Sequence, residues 1–274
     1  MQAPKSWSPP IGVLGELTAT ALVRSRALHP EARELRRRAE ARPAGDVPSF
    51  AQALRRPMVA VIAELKRRSP SKGVLDDSLD AAKVARAFAA GGAAAMSVLT
   101  EPTAFGGTLA DLETASGATA IPLLRKDFIV DECQLFEARI AGASAALLIA
   151  RALGPTGVMS LAASARAVGL ETLVEVRSED ELDWAVAAGA DAIGVNTRNL
   201  ESLEIHPEVG LTLVPRIPPT VPGVYESGVR SSTDVEAAAA AGADAVLVGS
   251  VLSQSGGAEA AVRALTQVPR RGRG

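Results

Sequence analysis

The sequence predicts an α/β protein: a closed (β/α)8 TIM barrel with a helical extension before its first strand. The first observation is a repeat in which a glycine at a helix end is followed by a short apolar run. It occurs as AGGAAAMSVLT at 90–100, AGASAALLIA at 141–150, AGADAIGVN at 188–196 and AGADAVLVGS at 241–250. A glycine just past a helix and then a buried strand is typical of the helix-to-strand junction of α/β proteins.

The second observation is the number of strand candidates. Four further apolar runs bring the total to eight: MVAVIAEL at 58–65, AIPLLRKD at 120–127, LETLVEV at 170–176 and PGVYES at 222–227. Helical stretches separate the runs, most clearly at 79–91, 131–142, 159–169 and 179–189. This alternation predicts parallel strands joined by right-handed crossovers. Eight units in about 200 residues favour a closed barrel.

The alternative is a doubly wound open sheet. That fold usually has a GxGxxG turn after its first strand. Here the first strand runs into ELKRRSPSKG at 64–73, which lacks that pattern. The absence of this pattern after the first strand therefore favours the barrel over the open sheet.

Three segments are predicted along the chain. Residues 1–56 form a helical extension packed on the barrel, in which the arginine-rich RELRRR reads as a solvated helix face. Residues 57–268 form the barrel. Residues 269–274, with the sequence PRRGRG, are predicted to be a disordered tail. Helix caps are expected at Ser178 and within 232–234.

Composition excludes several classes of function. The chain has 274 residues, of which 47% are hydrophobic, and 29 Lys and Arg against 31 Asp and Glu. This balance does not indicate nucleic-acid binding. No apolar run approaches the roughly 18 residues of a membrane span, and the N-terminus lacks a signal-peptide pattern, so a cytoplasmic protein is expected. One cysteine and two histidines allow no intrachain disulfide and argue against a His/Cys zinc site, so no metal is expected.

Charged residues collect at the ends of the predicted strands. Glu64 and Lys66 are two apart in the first strand, so their side chains project to the same face. Lys126 ends the third strand and Glu175 lies near the end of the fifth. In a (β/α)8 barrel these strand ends form the functional face. Two acid–lysine sets converging there predict acid–base catalysis; the alternative is a structural ion-pair network.

Two loops near the end of the chain suggest a phosphate site. SGVRSSTD at 227–234 and VGSVLSQSGG at 248–257 offer backbone N–H groups and hydroxyls near helix N-termini. Such groups bind anions, and barrels often bind a phosphate in the loops after strands 7 and 8. The alternative is that glycine and serine merely mark turns.

Eight motifs in order resemble those of the indole-3-glycerol phosphate synthase family, over residues 12–266. They are ELKRRSPSKG, LTEPTAFGGTL, LLRKDFI, EARIAGASAALLI, LVEV, IGVNTRNL, ESGVR and GADAVLVGS. The resemblance implies a lyase of tryptophan biosynthesis that needs no metal or cofactor. Its phosphorylated small-molecule substrate would be 1-(2-carboxyphenylamino)-1-deoxyribulose 5-phosphate, which closes to indole-3-glycerol phosphate with loss of carbon dioxide and water.

The resemblance also implies roles for individual residues. Lys126 would be the acid for ring closure, with Glu175 as its partner, and Lys66 the acid for dehydration, with Glu64 as base. On sequence alone the two lysines could exchange steps. The other implied site residues are Asn196 and Ser227 in catalysis, Arg198, Phe105, Phe128 and Glu226 in substrate binding, and Ser69, Gly228, Gly249 and Ser250 around the phosphate.

Some positions depart from the family pattern, namely Tyr225, Arg177, Cys133 and Asn199. None removes a proposed acid or base, but they leave room for a paralogue in an indole natural-product pathway. The same fold also suits two different functions, a phosphoribosylanthranilate isomerase and a non-catalytic phosphate-binding barrel. The sequence leaves the oligomeric state open, as a monomer or a weak homodimer.

Overall fold

Eight parallel strands close into a barrel in the computed structural model, which describes residues 7–254 and 257–273. The strands are β1 Ala60–Leu65, β2 Ala95–Leu99, β3 Leu123–Lys126, β4 Ala145–Ile149, β5 Glu171–Val176, β6 Ala192–Asn196, β7 Gly223–Glu226 and β8 Ala245–Val248. Each strand pairs with its neighbours in chain order, and β1 pairs with β8 from Ala60 opposite Ala245 to close the ring. The predicted TIM barrel is confirmed.

Helices surround the strands and precede the first of them. They are α1 Gly12–Arg26, α2 Ala32–Glu40, α3 Phe50–Ala53, α4 Ala81–Ala90, α5 Leu109–Ala118, α6 Glu132–Ile140, α7 Ala150–Ala167, α8 Glu179–Ala187, α9 Pro207–Leu213, α10 Ser232–Ala240, α11 Ser250–Gln254 and α12 Ala258–Leu265. Single 3-10 turns occur at His29–Glu31 and Val214–Arg216. No helix in these described segments is both long and apolar enough to span a membrane.

Side-chain caps fix where several crossover helices begin. Ser178 accepts a hydrogen bond from the backbone N–H of Glu181, as its sequence context predicts. At α10 the cap is Ser231 rather than a residue of the expected 232–234 run. Asp234 is the third helical residue there, and its carboxylate accepts a hydrogen bond from the backbone N–H of Ser231.

The strands divide the core into an inner and an outer layer because successive side chains point to opposite faces. Ile62 and Leu173 fill the barrel interior, whereas Val61 packs outward in the layer beneath the helices. The same alternation continues to the ends of the strands. Glu64 lies two residues after Ile62, and Glu175 lies two residues after Leu173, so both carboxylates follow the interior face.

The N-terminal extension is part of the barrel's packing. Leu14 of α1 and Phe50 of α3 are buried and belong to the same cluster as the inward-facing strand residues. Arg24 of α1 forms a two-pronged ion pair with Asp127, just after β3, with a shortest distance of 2.7 Å. The arginine-rich α2 turns Leu35 inward, and two of its exposed arginines, Arg36 and Arg37, form ion pairs within the helix, as a solvated face predicts.

Residues 269–273 pack on the barrel, whereas the composition of 269–274 suggests a disordered tail; Gly274 lies outside the described residues. Pro269 bridges to Met58, next to the first strand. The Arg273 side chain is 3% exposed and donates to backbone carbonyls that include those of Val221 and Gly242. Asp244 pairs with both Arg270 and Arg273 at 2.7 Å. These partners satisfy the guanidinium, so the arginine-rich composition does not produce a solvated tail.

Candidate active site

A cavity of about 610 Å³ opens at the carboxyl ends of the strands. Its volume is in the range typical of sites for small organic molecules. All fourteen site residues that the sequence suggests line this cavity: Glu64, Lys66, Ser69, Phe105, Lys126, Phe128, Glu175, Asn196, Arg198, Glu226, Ser227, Gly228, Gly249 and Ser250. They come from seven of the eight strands or the loops after them.

Lys126 is held among carboxylates at the floor of the cavity. Its Nζ donates to Oε2 of Glu226 at 3.1 Å and to Oε2 of Glu175 at 3.5 Å. A second pair lies nearby, in which Lys66 Nζ donates to Oε1 of Glu64 at 2.7 Å. The three carboxylate side chains are at most 4% exposed and the two lysines about 15%. All five side chains line the cavity, and the two lysines are its more exposed members.

The cluster shifts the acidity of its members. Burial favours the neutral amine of Lys126, but the carboxylates of Glu226, Glu175 and Glu64 outweigh it and raise the pKa of this lysine. Burial raises the pKa of Glu226 to about 7, Lys126 opposes the rise, and Glu175 adds to it. Oε1 of Glu226 has no hydrogen-bond partner among the described residues. The carboxylates thus favour the charged form of Lys126, whereas burial favours the protonated form of Glu226.

Two glycines leave the space that these carboxylates occupy. A Cβ on Gly194, in β6, would lie 1.9 Å from Oε1 of Glu226. A Cβ on Gly249, after β8, would lie 2.9 Å from Lys66 Nζ and closer still to the Glu64 carboxylate. Any larger residue at either position would displace a charged side chain. The motifs IGVN and VGS thus carry glycine because carboxylates pack against the backbone there.

Polar groups at the ends of β6 and β7 hydrogen-bond to one another. Oδ1 of Asn196 accepts from Ser227 Oγ at 2.8 Å and from the Arg198 backbone N–H at 2.9 Å. This leaves the amide nitrogen of Asn196 to donate to a ligand. Ser227 has a φ of +69°, which turns the chain at the end of β7. Arg198 donates to the backbone carbonyl of Leu203 at 2.7 Å, and burial lowers the pKa of its guanidinium.

Two phenylalanines meet at one wall. The ring centroids of Phe105 and Phe128 are 6.2 Å apart, with their planes tilted by 40°. This spacing is that of interacting aromatic rings. Leu14 and Leu17 of α1 also line the cavity. The result is an apolar surface beside the charged floor.

The residues that the sequence suggests for phosphate binding also line the cavity. Ser69 is buried, and its Oγ accepts from the backbone N–H of Lys72 at 3.2 Å. Lys72 and Arg230 also line the cavity, although the sequence did not assign them to the site. Both belong to motifs already recognised, SPSKG and SGVR, and a cation in a glycine- and serine-rich loop is a signal for an anion site.

The sequence also gives no indication of the contact between the N-terminal extension and the site. Asp127 accepts from Arg24, from Thr100 Oγ1 at 2.8 Å and from Arg125 at 3.3 Å. The pKa of Asp127 is lowered: burial alone would raise it, but the arginines and the threonine overcome that effect. This buried carboxylate fixes α1 directly beside Lys126. Nothing in the local sequence of α1 indicates that Arg24 has a partner 103 positions away.

One group of possible metal ligands is present among the described residues, outside this cavity's lining. The ligand atoms of His29, Asp131 and Cys133 all lie within 4.8 Å of one another. Burial and the Asp131 carboxylate raise the pKa of the Cys133 thiol to about 12. Because the thiolate is the form that binds metals, this cysteine is a poor ligand at neutral pH. The Cys133 side chain is instead buried in the layer between the barrel and its helices.

Comparisons with known structures support the fold. A thiamine phosphate pyrophosphorylase from Pyrococcus furiosus matches 77% of this chain and 95% of its own, with a TM-score of 0.58 and 16% identity. A 3-hexulose-6-phosphate synthase from Salmonella typhimurium matches 76% of this chain and 97% of its own, with a TM-score of 0.61 and 17% identity. At these identities the likeness concerns the fold alone.

Sequence comparisons are more specific. The family model for indole-3-glycerol phosphate synthase matches residues 18–265. Indole-3-glycerol phosphate synthase 2 of Streptomyces coelicolor is 49% identical over 89% of this chain and 95% of its own. The Nocardioides protein named indole-3-glycerol phosphate synthase is 51% identical over 76% of this chain and 80% of its own. With its barrel and its lysine–carboxylate floor, the chain belongs to the indole-3-glycerol phosphate synthase family.

Proposed function

We propose that this chain converts 1-(2-carboxyphenylamino)-1-deoxyribulose 5-phosphate to indole-3-glycerol phosphate, carbon dioxide and water by lysine–carboxylate acid–base catalysis. The single observation that carries the proposal is the position of Lys126. Its ammonium lies between Glu226 and Glu175 and reaches a cavity that also receives the Glu64–Lys66 pair. This reaction needs proton donors and acceptors at separate steps.

Lys126 serves ring closure. The aromatic carbon that bears the carboxylate attacks the sugar ketone, and the carbonyl oxygen takes a proton from the Lys126 ammonium as the new carbon–carbon bond forms. The carboxylates of Glu226 and Glu175 keep that lysine charged before the reaction. Carbon dioxide then leaves, and the electron pair of its bond restores the aromatic ring.

The Glu64–Lys66 pair serves dehydration. The hydroxyl group formed from the ketone departs as water with a proton from Lys66. Glu64 accepts the proton that is lost from the neighbouring sugar carbon, which completes the double bond of the indole ring. The 2.7 Å hydrogen bond between Lys66 and Glu64 supports a shared role, because it allows the proton balance of the pair to be restored.

The remaining lining residues match the parts of the substrate. Phe105 and Phe128 would contact the anthranilate ring, because they give the cavity its aromatic wall. Arg198, with Asn196 and Ser227, would bind the carboxylate and sugar hydroxyls. The phosphate would lie among the hydroxyls and backbone N–H groups near Ser69, Gly228, Gly249 and Ser250, with Lys72 and Arg230 as nearby cations.

The experiment that tests the proposal is turnover of the purified chain with this substrate, followed by the fluorescence of the indole product. Growth of the product signal, with release of one carbon dioxide per turnover, is expected. A folded preparation that binds the substrate without turning it over would instead favour a non-catalytic phosphate-binding barrel.

We further propose that the protein acts in the cytoplasm as a monomer or a weak homodimer. All fourteen suggested site residues come from one chain, which supports a site that is complete without a partner. Light scattering during size-exclusion chromatography, over a range of concentrations, tests this proposal. A stable larger assembly at low concentration would contradict it.

A further inference from the structure

The chain that precedes α1 lies across the start of α7 and the loop after β6. We define the strap as residues 7–11. The Nε1 of Trp7 donates to the backbone carbonyl of Arg151, at the start of α7, at 3.1 Å. The Trp7 ring rests on Gly154, where a Cβ would be 2.7 Å from the ring. The aromatic ring thus docks where α7 is broken by the positive φ of that glycine.

Glu201, in the loop after β6, joins the strap to α7. Its Oε1 accepts from the backbone N–H of Ile11 at 3.0 Å and from Arg151 Nη2 at 2.7 Å. The other nitrogen of that guanidinium, Nη1, donates to the backbone carbonyl of Ser8 at 2.7 Å. The backbone carbonyl of Glu201 accepts from the N–H of Val13 at 3.3 Å. One side chain therefore ties three segments together.

The same loop holds the Arg198 guanidinium. Asn199 Oδ1 accepts from the backbone N–H of Glu201 at 2.9 Å, and the Asn199 carbonyl accepts from the N–H of Leu203 at 2.7 Å. Leu203 has a φ of +67°, a conformation that costs free energy for a residue with a side chain. Its carbonyl accepts from Arg198 Nη1 at 2.7 Å. A short path of hydrogen bonds thus runs from Glu201 to Arg198.

We propose that Glu201 is a positioning residue that fixes the Arg198 guanidinium for the substrate, by holding the β6 loop against Arg151 and the strap. Neither Glu201 nor Arg151 lines the cavity, so both act through the loop rather than by touching substrate. The ion pair is partly shielded, with side chains 24% and 29% exposed. The inference rests on the proposed role of Arg198 as a substrate ligand.

Loss of a positioning contact of this kind weakens binding of the substrate and of the transition state by similar amounts. Glu201→Ala should therefore raise KM about tenfold and change kcat by less than about threefold. Arg151→Met should reproduce this result from the other side of the pair. Glu201→Gln keeps an acceptor for the Ile11 N–H, so its effect should be intermediate. As a matched control, Glu40→Ala breaks the exposed Arg36–Glu40 pair on α2 and should leave KM unchanged.

A double-mutant cycle tests the coupling to Arg198. Calorimetry would measure binding of a probe, the alcohol obtained by reducing the ketone of the substrate. We expect Glu201→Ala to weaken the probe about tenfold in the parent and by less than twofold in an Arg198→Ala background. Equal losses in both backgrounds, or no loss in the parent, would overturn the inference while leaving the proposed function in place. A parent that neither binds the probe nor turns over substrate would overturn both.

Discussion

Replacing Gly194 by alanine tests whether the position of Glu226 matters for catalysis. The added Cβ would lie 1.9 Å from Oε1 of Glu226, whereas ordinary contact begins at 3.4 Å. The carboxylate must therefore retreat by about 1.5 Å or the strands must separate. Since Glu226 Oε2 is 3.1 Å from Lys126 Nζ, either movement shifts the lysine from its observed position. A misplacement of about 1 Å can cost about 10²-fold in rate, so we expect kcat/KM to fall by about 10²-fold.

The Gly194→Ala variant should still fold. An extra methyl group in a packed core typically lowers the free energy of unfolding by only about 1–3 kcal/mol, because neighbouring side chains and backbone can shift to accommodate it. Product fluorescence would give kcat/KM, and thermal unfolding of the same preparation would show that the variant is folded. Gly117→Ala is the matched control, because that Cβ would meet nothing within 4 Å, and it should keep parental activity. Parental kcat/KM in a folded Gly194→Ala variant would refute the reasoning.

Four other outcomes are expected. Lys126→Met should lower kcat by about 10²- to 10⁴-fold in single-turnover assays, the usual contribution of a general acid, and normal turnover would remove Lys126 from the mechanism. Ser250→Asp should weaken substrate binding through repulsion of the phosphate, and equal affinity of the parent for dephosphorylated ligand would contradict this site. The pKa of Glu226 is about 7 in the folded state, above its unfolded value, so its stabilising contribution is complete at low pH and lost as pH rises through about 7. The melting temperature should therefore fall more steeply between about pH 5 and pH 8 in the parent than in Glu226→Gln, and parallel curves would refute the shift. Arg273→Ala should reduce the free energy of unfolding by about 3 kcal/mol in urea titrations, because Asp244 and several carbonyls lose a buried partner, while an unchanged midpoint would show that the contact is dispensable.

The barrel and the floor of its site could be predicted because both follow from short-range rules. Alternation of side chains places Glu64 and Lys66 on one face, and the closed parallel topology brings the carboxyl end of their strand to the same mouth of the barrel as that of Lys126. Neither step needs the identity of a distant contact. The family resemblance then added the lining residues that a strand pattern alone does not distinguish, such as Phe105.

The extension and the last residues could not be predicted in the same way. Arg24 binds Asp127, and Arg273 binds backbone carbonyls 31 to 56 positions earlier. Backbone acceptors carry no sequence signal, and an arginine side chain is equally compatible with solvent. The composition of PRRGRG therefore indicates disorder, although the fold offers backbone carbonyls that the Arg273 guanidinium can reach.

The closure of the barrel by β1 and β8 has a consequence for how the molecule is synthesised. β1 is made first but has β8 as one of its two neighbours, and the bridge from Met58 to Pro269 spans almost the whole barrel. On the ribosome, one edge of β1 stays unpaired until β8, Ala245–Val248, has emerged. Unpaired apolar edges are prone to aggregate. Translation that stalls before β8 should thus leave an open sheet with an unpaired apolar edge on β1.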